Sequence, residues 1–481
     1  MKRSLVFLLL YFLLFSFLAR AGEPFPFKAE IDTLVSEAAA EDVEYGLLIQ
    51  EGDSGRVLYS KNADVLLNPA SNTKILTALA SLSLLGPDFT FRTRLLGSET
   101  GERGVLKTLT LKGFGDPTFS TERLEDMVKQ LQARGIKKVE QVAVDGSYFD
   151  GEEFPGQMEG RQRDAVFNCN VGAVSIDHNL LELELSPGEK IGKAAKVEMK
   201  PPMPGYPMKN EVVTAKKKGR IVVKNAGKDE EDLTLSLKGP IALGSEPLVY
   251  KISVHRPHRL AALKLIQALK NQGIETPEKA QLVCADAKDK MWAETQSPPL
   301  IQILQEMNKN SDNFIAEQLT KILGAQFAGL PGNTEKGVKV ILKRLKELGV
   351  RTQGVEIENG SGLSKKNRLR PSTLADVLEK AYQDPKLRAN FLSTLSVLGV
   401  DGTLKRKFRN TDMAGRFLGK TGTLNGVSSL SGYLFPKSGE NGHPYIFSFI
   451  LNGKGKNFWK EKQMAQDVLE LLLTQTLAKA P

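Results

Sequence analysis

Of all the serines in this 481-residue chain, only Ser71 is followed three residues later by a lysine, Lys74. The flanking residues dictate a helix start. Asn68 can cap it, Pro69 suits its first turn, and the apolar run Ile75, Leu76, Leu79, Leu82 and Leu84 continues to Gly86, a natural stop. Ser71 is thus expected in the first turn of a mostly buried helix. Three residues apart, the hydroxyl and the ammonium share one helix face, and the unpaired N–H groups at the helix start favour developing negative charge. The pair is a candidate serine nucleophile with a lysine base, provided that burial or a second positive charge lowers the lysine pKa. Whatever fold the chain adopts must therefore enclose this helix start and bring such groups to it.

Two later segments can supply them. Ser311-Asp312-Asn313 opens an apolar helix-like stretch, Phe314, Ile315, Leu319 and Ile322. Lys420-Thr421-Gly422-Thr423 follows Arg416-Phe417-Leu418-Gly419, an extended segment that ends at an Asn425-Gly426 turn. Each motif alone is weak. A Ser-x-x-Lys on a helix is commonly a surface accident, because both residues favour solvent. Ser60-Lys61-Asn62 is a decoy for the second motif, and Lys437-Ser438-Gly439, between the apolar runs 433–435 and 445–447, reads as a hairpin turn. What carries weight is the joint occurrence in order: serine-lysine, Ser-Asp-Asn, Lys-Thr-Gly. That set is the signature of penicillin-binding proteins and class A β-lactamases.

Beyond these motifs the chain resembles the D-alanyl-D-alanine carboxypeptidase/endopeptidase family, the class C low-molecular-mass penicillin-binding proteins of the penicillin-binding protein 4 type (peptidase family S13). The resemblance rests on 68–74, Gly115-Asp116-Pro117-Thr118, Ser311-Asp312-Asn313, 359–364, 399–404 and 420–424. Where many members carry a Tyr-Asn-Ala-Pro-like stretch, this chain has Phe167-Asn168-Cys169-Asn170-Val171, outside the catalytic motifs. The resemblance implies an acyl-enzyme on Ser71, formed by attack on the carbonyl of a penultimate D-alanine with Lys74 as base, and blocked by β-lactams. It further implies that Ser311 relays a proton to the leaving nitrogen, and that Asn313 orients Lys74 and the substrate amide. Lys420 would hold positive charge that depresses the Lys74 pKa. Thr421, Gly422 and Thr423 would bind substrate, the two threonines at its terminal carboxylate, with the N–H groups of Ser71 and Thr423 as oxyanion hole. Asp116, Asp401 and the Ser361-Gly362 turn are read as turn geometry and packing. A class A-like β-lactamase, a non-catalytic peptidoglycan-binding protein and a related serine esterase stay open as alternatives.

Composition and compartment agree with a cell-wall substrate. Residues 1–21 read as a secretory signal peptide: Lys2 and Arg3, an apolar run from Leu5 to Leu18, then Ala19-Arg20-Ala21. Its removal takes away three cations and no acid from a formal charge of +10. A basic exported protein, expected in the periplasm, suits an anionic polymer and disfavours nucleic acid. No later segment approaches the roughly 18 apolar residues of a membrane span. The two cysteines, Cys169 and Cys284, leave a disulfide and two free thiols equally open. The four histidines lack metal spacing, so neither a metal site nor a cofactor is expected.

The predicted fold class is α/β (α+β): a penicillin-binding transpeptidase domain of helices on an antiparallel sheet, with two small domains inserted between the first two motifs. Ser311 follows Ser71 by 240 residues, far more than a compact domain needs between adjacent helices. The division expected is 22–90 and 281–481 for the catalytic part, 91–165 and 255–280 for an inserted α/β domain, and 166–254 for a nested, mostly-β domain.

Overall fold

A computed structural model describes residues 27–38, 43–154, 167–168, 170–200, 202–203, 206–227, 233–436, 442–453 and 459–478. The expected signal peptide (1–21), Cys169 and the Lys437-Ser438-Gly439 turn lie outside the described residues. Cys284 is exposed.

Alternation along the strands determines the main sheet. It has six strands in the order Ser396–Val397, Phe417–Leu424, Val427–Leu434, Tyr445–Gly453, Val43–Glu51 and Val57–Lys61, every pair antiparallel. Both ends of the chain thus meet in one sheet, where Val43 pairs with Gly453 and Glu51 with Tyr445. Successive side chains point to opposite faces. Leu47, Ile49, Phe447, Phe449 and Leu451 pack one core under the helices Lys28–Ala38 and Trp459–Ala478, whereas Leu48, Ile446 and Ile450 join a second core on the other face. Val468, Leu469, Leu472 and Leu473 of the last helix are buried, so its apolar stripe covers the sheet. Among the described residues no helix is long and apolar enough to cross a membrane.

The second core holds the helix Thr73–Leu85 among Leu300–Lys309, Asn313–Ala328, Thr334–Glu347, Pro371–Gln383 and Pro385–Thr394. Every residue from Thr73 to Leu82 is buried, as expected of a helix apolar on all sides. Its start differs from the expectation in detail. Asn68 does not cap the helix: its Oδ1 accepts from the Ala70 amide at 2.9 Å, but Pro69 stands at the N-cap of a short 3-10 turn, Ala70–Asn72, and Asn72 at that of the α-helix, so Ser71 precedes the α-helix.

The long segment between the motifs builds its own sheets around a separate core. Five strands run in the order Ala280–Leu282, Lys138–Asp145, Val105–Gly113, Arg92–Glu99, Lys290–Gln296, with the helices Thr121–Ala133 and Pro257–Asn271 packed into that core. Residues 180–253 form two three-stranded sheets. The five-stranded sheet does not end near residue 280. Its outer strand, Lys290–Gln296, pairs antiparallel with Arg92–Glu99, burying Trp292 and Ala293, and the chain returns to the helical layer only after it.

His258, at the start of the helix Pro257–Asn271, keeps part of its ring near the surface but seals Nε2 away without a hydrogen-bond partner. Burial pushes its pKa down from 6.5 to about 4, against the opposing pull of Asp145. The folded state therefore holds a neutral ring that the unfolded chain protonates below 6.5, so stability falls as pH drops from 6.5 to 4. Discounted for the exposed part of the ring, the loss is about 2 kcal/mol. The unfolding free energy of His258→Gln, measured with denaturant across this range, should fall less steeply than that of the wild type, by roughly that amount.

Candidate active site

The first two motifs and the last converge at one end of the helix Thr73–Leu85. Lys74 is fully buried, and its Nζ donates to Ser71 Oγ at 3.1 Å, Asn313 Oδ1 at 2.6 Å and the Ser361 carbonyl at 2.7 Å. The last two can only accept. They consume two N–H bonds and leave the third direction on Ser71, whose hydroxyl can donate or accept. A neutral Lys74 in this cage therefore points its lone pair at Ser71 Oγ.

Asn313 opens the helix Asn313–Ala328, whose N-cap is Asp312, with Oδ1 accepting from the Ile315 amide at 2.9 Å. The cap fixes where the helix begins and hence where Asn313 points. Its amide nitrogen donates to the Phe167 carbonyl at 2.9 Å, so the oxygen faces Lys74. Phe167 was expected to lie outside the catalytic motifs. In space the inserted segment touches them, because a backbone carbonyl needs no particular side chain to take part.

Lys420, also fully buried, donates to Ser311 Oγ at 2.9 Å and to the Thr421 carbonyl at 2.8 Å. Burial first, and the nearby Lys74 charge second, press its pKa well below the ordinary lysine value. The two amines thus oppose each other's protons, and a positive charge on Lys420 is held against burial. Lys420 to Thr423 lie on a strand that pairs with Val427–Leu434 on one side, while on the other Ser396–Val397 reaches only Leu418 and Gly419. From Lys420 onward that edge has no strand partner among the described residues. Thr421 is half-buried with Oγ1 2.8 Å from Thr403 Oγ1, and Thr423 is exposed.

Gly422 shows how tightly the strand meets the nucleophile turn. A Cβ there would stand 2.2 Å from Ser429 Oγ, 2.7 Å from the Pro69 carbonyl and 3.0 Å from the Ser71 amide nitrogen. From the other side Gly362, at φ +85°, would place a Cβ 1.9 Å from the Ala70 carbonyl. Between these two glycines, Ala70 itself is left-handed at φ 47°, as is Ser311 at φ 57°, a strained conformation for residues with side chains.

The structure brings all eight expected residues to this place: Ser71, Lys74, Ser311, Asn313, Lys420, Thr421, Gly422 and Thr423. It also adds the Ser361 carbonyl, which the sequence reading assigned to turn geometry. Asp401 does serve its turn, accepting from the Val397 amide at 2.7 Å and pairing with Lys309 at 2.6 Å. Asp116 bonds to Thr118 and Arg123 in the inserted region. Metal-ligating side chains approach one another at one group among the described residues, His178, Glu306 and Asp312, with ligand atoms within 4.8 Å. They come from three segments, which spacing along the chain could not reveal.

Comparison with known proteins agrees with this geometry. The D-Ala-D-Ala carboxypeptidase 3 (S13) family profile matches residues 27–473. A D-alanyl-D-alanine carboxypeptidase of Actinomadura sp. strain R39 is 30% identical over 445 residues, covering 89% of this chain and 81% of the relative. Penicillin binding protein 4 (dacB) from Haemophilus influenzae superposes with a TM-score of 0.82 at 25% identity, covering 92% and 99% of the two chains. The same protein complexed with a β-lactam gives a TM-score of 0.76 at 23% identity, over 92% and 99%.

Gly422→Ala should slow acylation by a penicillin at least tenfold, because its methyl group must displace Ser429, Pro69 or the Ser71 amide. Stopped-flow or gel-based labelling rates check this, and an unchanged rate would show that the strand does not abut the nucleophile.

Proposed function

The chain belongs to the D-Ala-D-Ala carboxypeptidase 3 (S13) family, and on that premise we propose that Ser71 is the nucleophile that acylates on peptidoglycan stem peptides. The enzyme is a serine-type D-Ala-D-Ala carboxypeptidase of the penicillin-binding fold. The observation that carries the residue assignment is the cage around Lys74: two obligate acceptors and Ser71 on one amine.

In the first step the Ser71 oxygen attacks the carbonyl of the penultimate D-alanine, and its proton passes to the Lys74 lone pair. The amide breaks, and the leaving nitrogen takes a proton from Ser311, whose hydroxyl accepts from Lys420 and so has its own hydrogen free to give; the proton that Lys74 took from Ser71 then replaces the one Ser311 gave, so that Ser311 is a hydroxyl again and Lys74 is neutral for the next step. The Ser71 amide, beside the Gly422 backbone, and the Thr423 amide are proposed to hold the oxyanion. Thr421 and Thr423, at an unpaired strand edge, are proposed to take the substrate carboxylate, with Gly422 giving the close approach. Water then attacks the acyl-enzyme, with Lys74 as base. A β-lactam acylates the same serine, but its cleaved nitrogen stays tethered, so hydrolysis stalls. The β-lactam complex of the Haemophilus influenzae protein, on the same fold, supports this reading.

The basic charge and the N-terminal pattern support a periplasmic location. Cleavage of cross-links beside terminal D-alanine is decided by digesting purified sacculi and identifying the released muropeptides.

Fluorescent penicillin should label the wild type at Ser71, and Ser71→Ala should abolish labelling; label on another residue would sink the assignment.

For Lys420 the proposal is that the proton shared by the two opposed amines rests on Lys420, leaving Lys74 neutral. In Lys420→Ala, Lys74 loses a like charge and keeps its own proton to higher pH, so the acid limb of acylation should move up by about 1 unit. Affinity for substrates with a free carboxylate should fall with it. An unmoved limb, measured with a carboxylate-free β-lactam, would remove Lys420 from the activation of Lys74.

A further inference from the structure

A buried acid lies behind the Lys74 cage. Glu317, one turn into the helix Asn313–Ala328, is 1% exposed, and its Oε1 accepts from the Ser361 amide at 2.9 Å. The Ser361 carbonyl, on the opposite side of that residue, receives the Lys74 N–H. The adjoining Gly360 carbonyl accepts from Thr77 Oγ1 at 2.8 Å, and a Cβ on Gly360 would stand 1.9 Å from Thr320 Oγ1. The Gly360-Ser361 backbone is thus clamped between the helix Thr73–Leu85 and the helix of Asn313, with the Glu317 side chain gripping the Ser361 amide.

We propose that Glu317 is a positioning residue for Lys74, held as a neutral carboxylic acid. It fixes the Ser361 carbonyl so that the amine spends one N–H there and turns its lone pair to Ser71. This rests on reading Ser71 and Lys74 as nucleophile and base. Neutrality follows from the surroundings. Glu317 Oε2 is buried without a hydrogen-bond partner, a costly place for half of a carboxylate charge. Burial correspondingly pushes its pKa up, against the Ser361 hydroxyl and amide, the Lys74 charge and the Gly360 amide. The titratable group that faces it is Lys74, which would lower the Glu317 pKa when protonated. Lys321, one turn further along the same helix, is engaged by Asp150 at 2.5 Å. An ionised Glu317 would hold a proton on Lys74 and so oppose base catalysis; a neutral one leaves the lone pair free.

The test compares Glu317→Ala with Glu317→Gln in the full-length protein, reading the acylation rate constant per titratable site so that misfolded molecules do not count. Glu317→Ala should acylate at least tenfold more slowly, with the non-covalent binding step unchanged. Glu317→Gln, neutral and still able to accept from the Ser361 amide, should restore the rate to within about threefold and leave the acid limb of the pH profile in place. The infrared carbonyl band of a protonated carboxylic acid should be present in the free wild-type enzyme and missing from Glu317→Gln. An alanine variant as fast as wild type would overturn the positioning role, as would a glutamine variant as slow as alanine. A glutamine variant whose acid limb moves to lower pH, or an unchanged infrared band, would overturn the neutral acid. Absence of Ser71 acylation in the wild type would instead overturn the nucleophile assignment, and the band, read without substrate, still decides the state of Glu317.

Discussion

Burial of the Lys74 amine is the interaction on which the rest of this architecture depends. An amine with no exposure and no partners would be ruinous in a protein interior. The Lys74 amine bonds to Ser71 just ahead of its own helix, Asn313 at the start of another helix and Ser361 in a later loop. To bring those groups together the fold must pack the helices Thr73–Leu85 and Asn313–Ala328 side by side, and must send the intervening chain outward to form sheets of its own. The same cage that makes the burial tolerable also selects which lone pair is free for chemistry.

The second amine turns this structural necessity into function. Lys420 reaches Ser311 from a strand whose outer edge, among the described residues, has no strand partner beyond Gly419, so a buried amine, a hydroxyl and an open backbone edge occur in one place. Two buried lysines near one another cannot both be protonated cheaply, so each disfavours a proton on the other. Left-handed Ala70 and Ser311, beside the two reactive hydroxyls, show where the scaffold accepts strain to aim them.

Much of this was legible along the chain. The buried helix after Lys74 follows from its apolar run, and helices on an antiparallel sheet were the expected architecture. Where the sequence reading went astray, the reason was long-range pairing. Nothing local in Lys290–Gln296 says that it completes a sheet begun at Arg92; only its antiparallel register with Arg92–Glu99 does. Likewise the 3-10 turn at Ala70–Asn72, which sets Ser71 just ahead of the helix, reflects contact with Gly362 and Gly422 rather than helix propensity.

By itself the sequence determined the chemistry available: a hydroxyl and an amine three residues apart at a helix start, a Ser-Asp-Asn and a Lys-Thr-Gly, because side-chain identity and local periodicity are written residue by residue. Only the tertiary structure decided how that chemistry is aimed. The Ser361 and Phe167 carbonyls that orient Lys74 and Asn313 are backbone groups common to every residue, so no residue type marks them. No local pattern marks Glu317; packing buries it and leaves it gripping the Ser361 amide. Hydrogen bonds act over about 3 Å, and which groups come within that reach across hundreds of residues is settled by the fold.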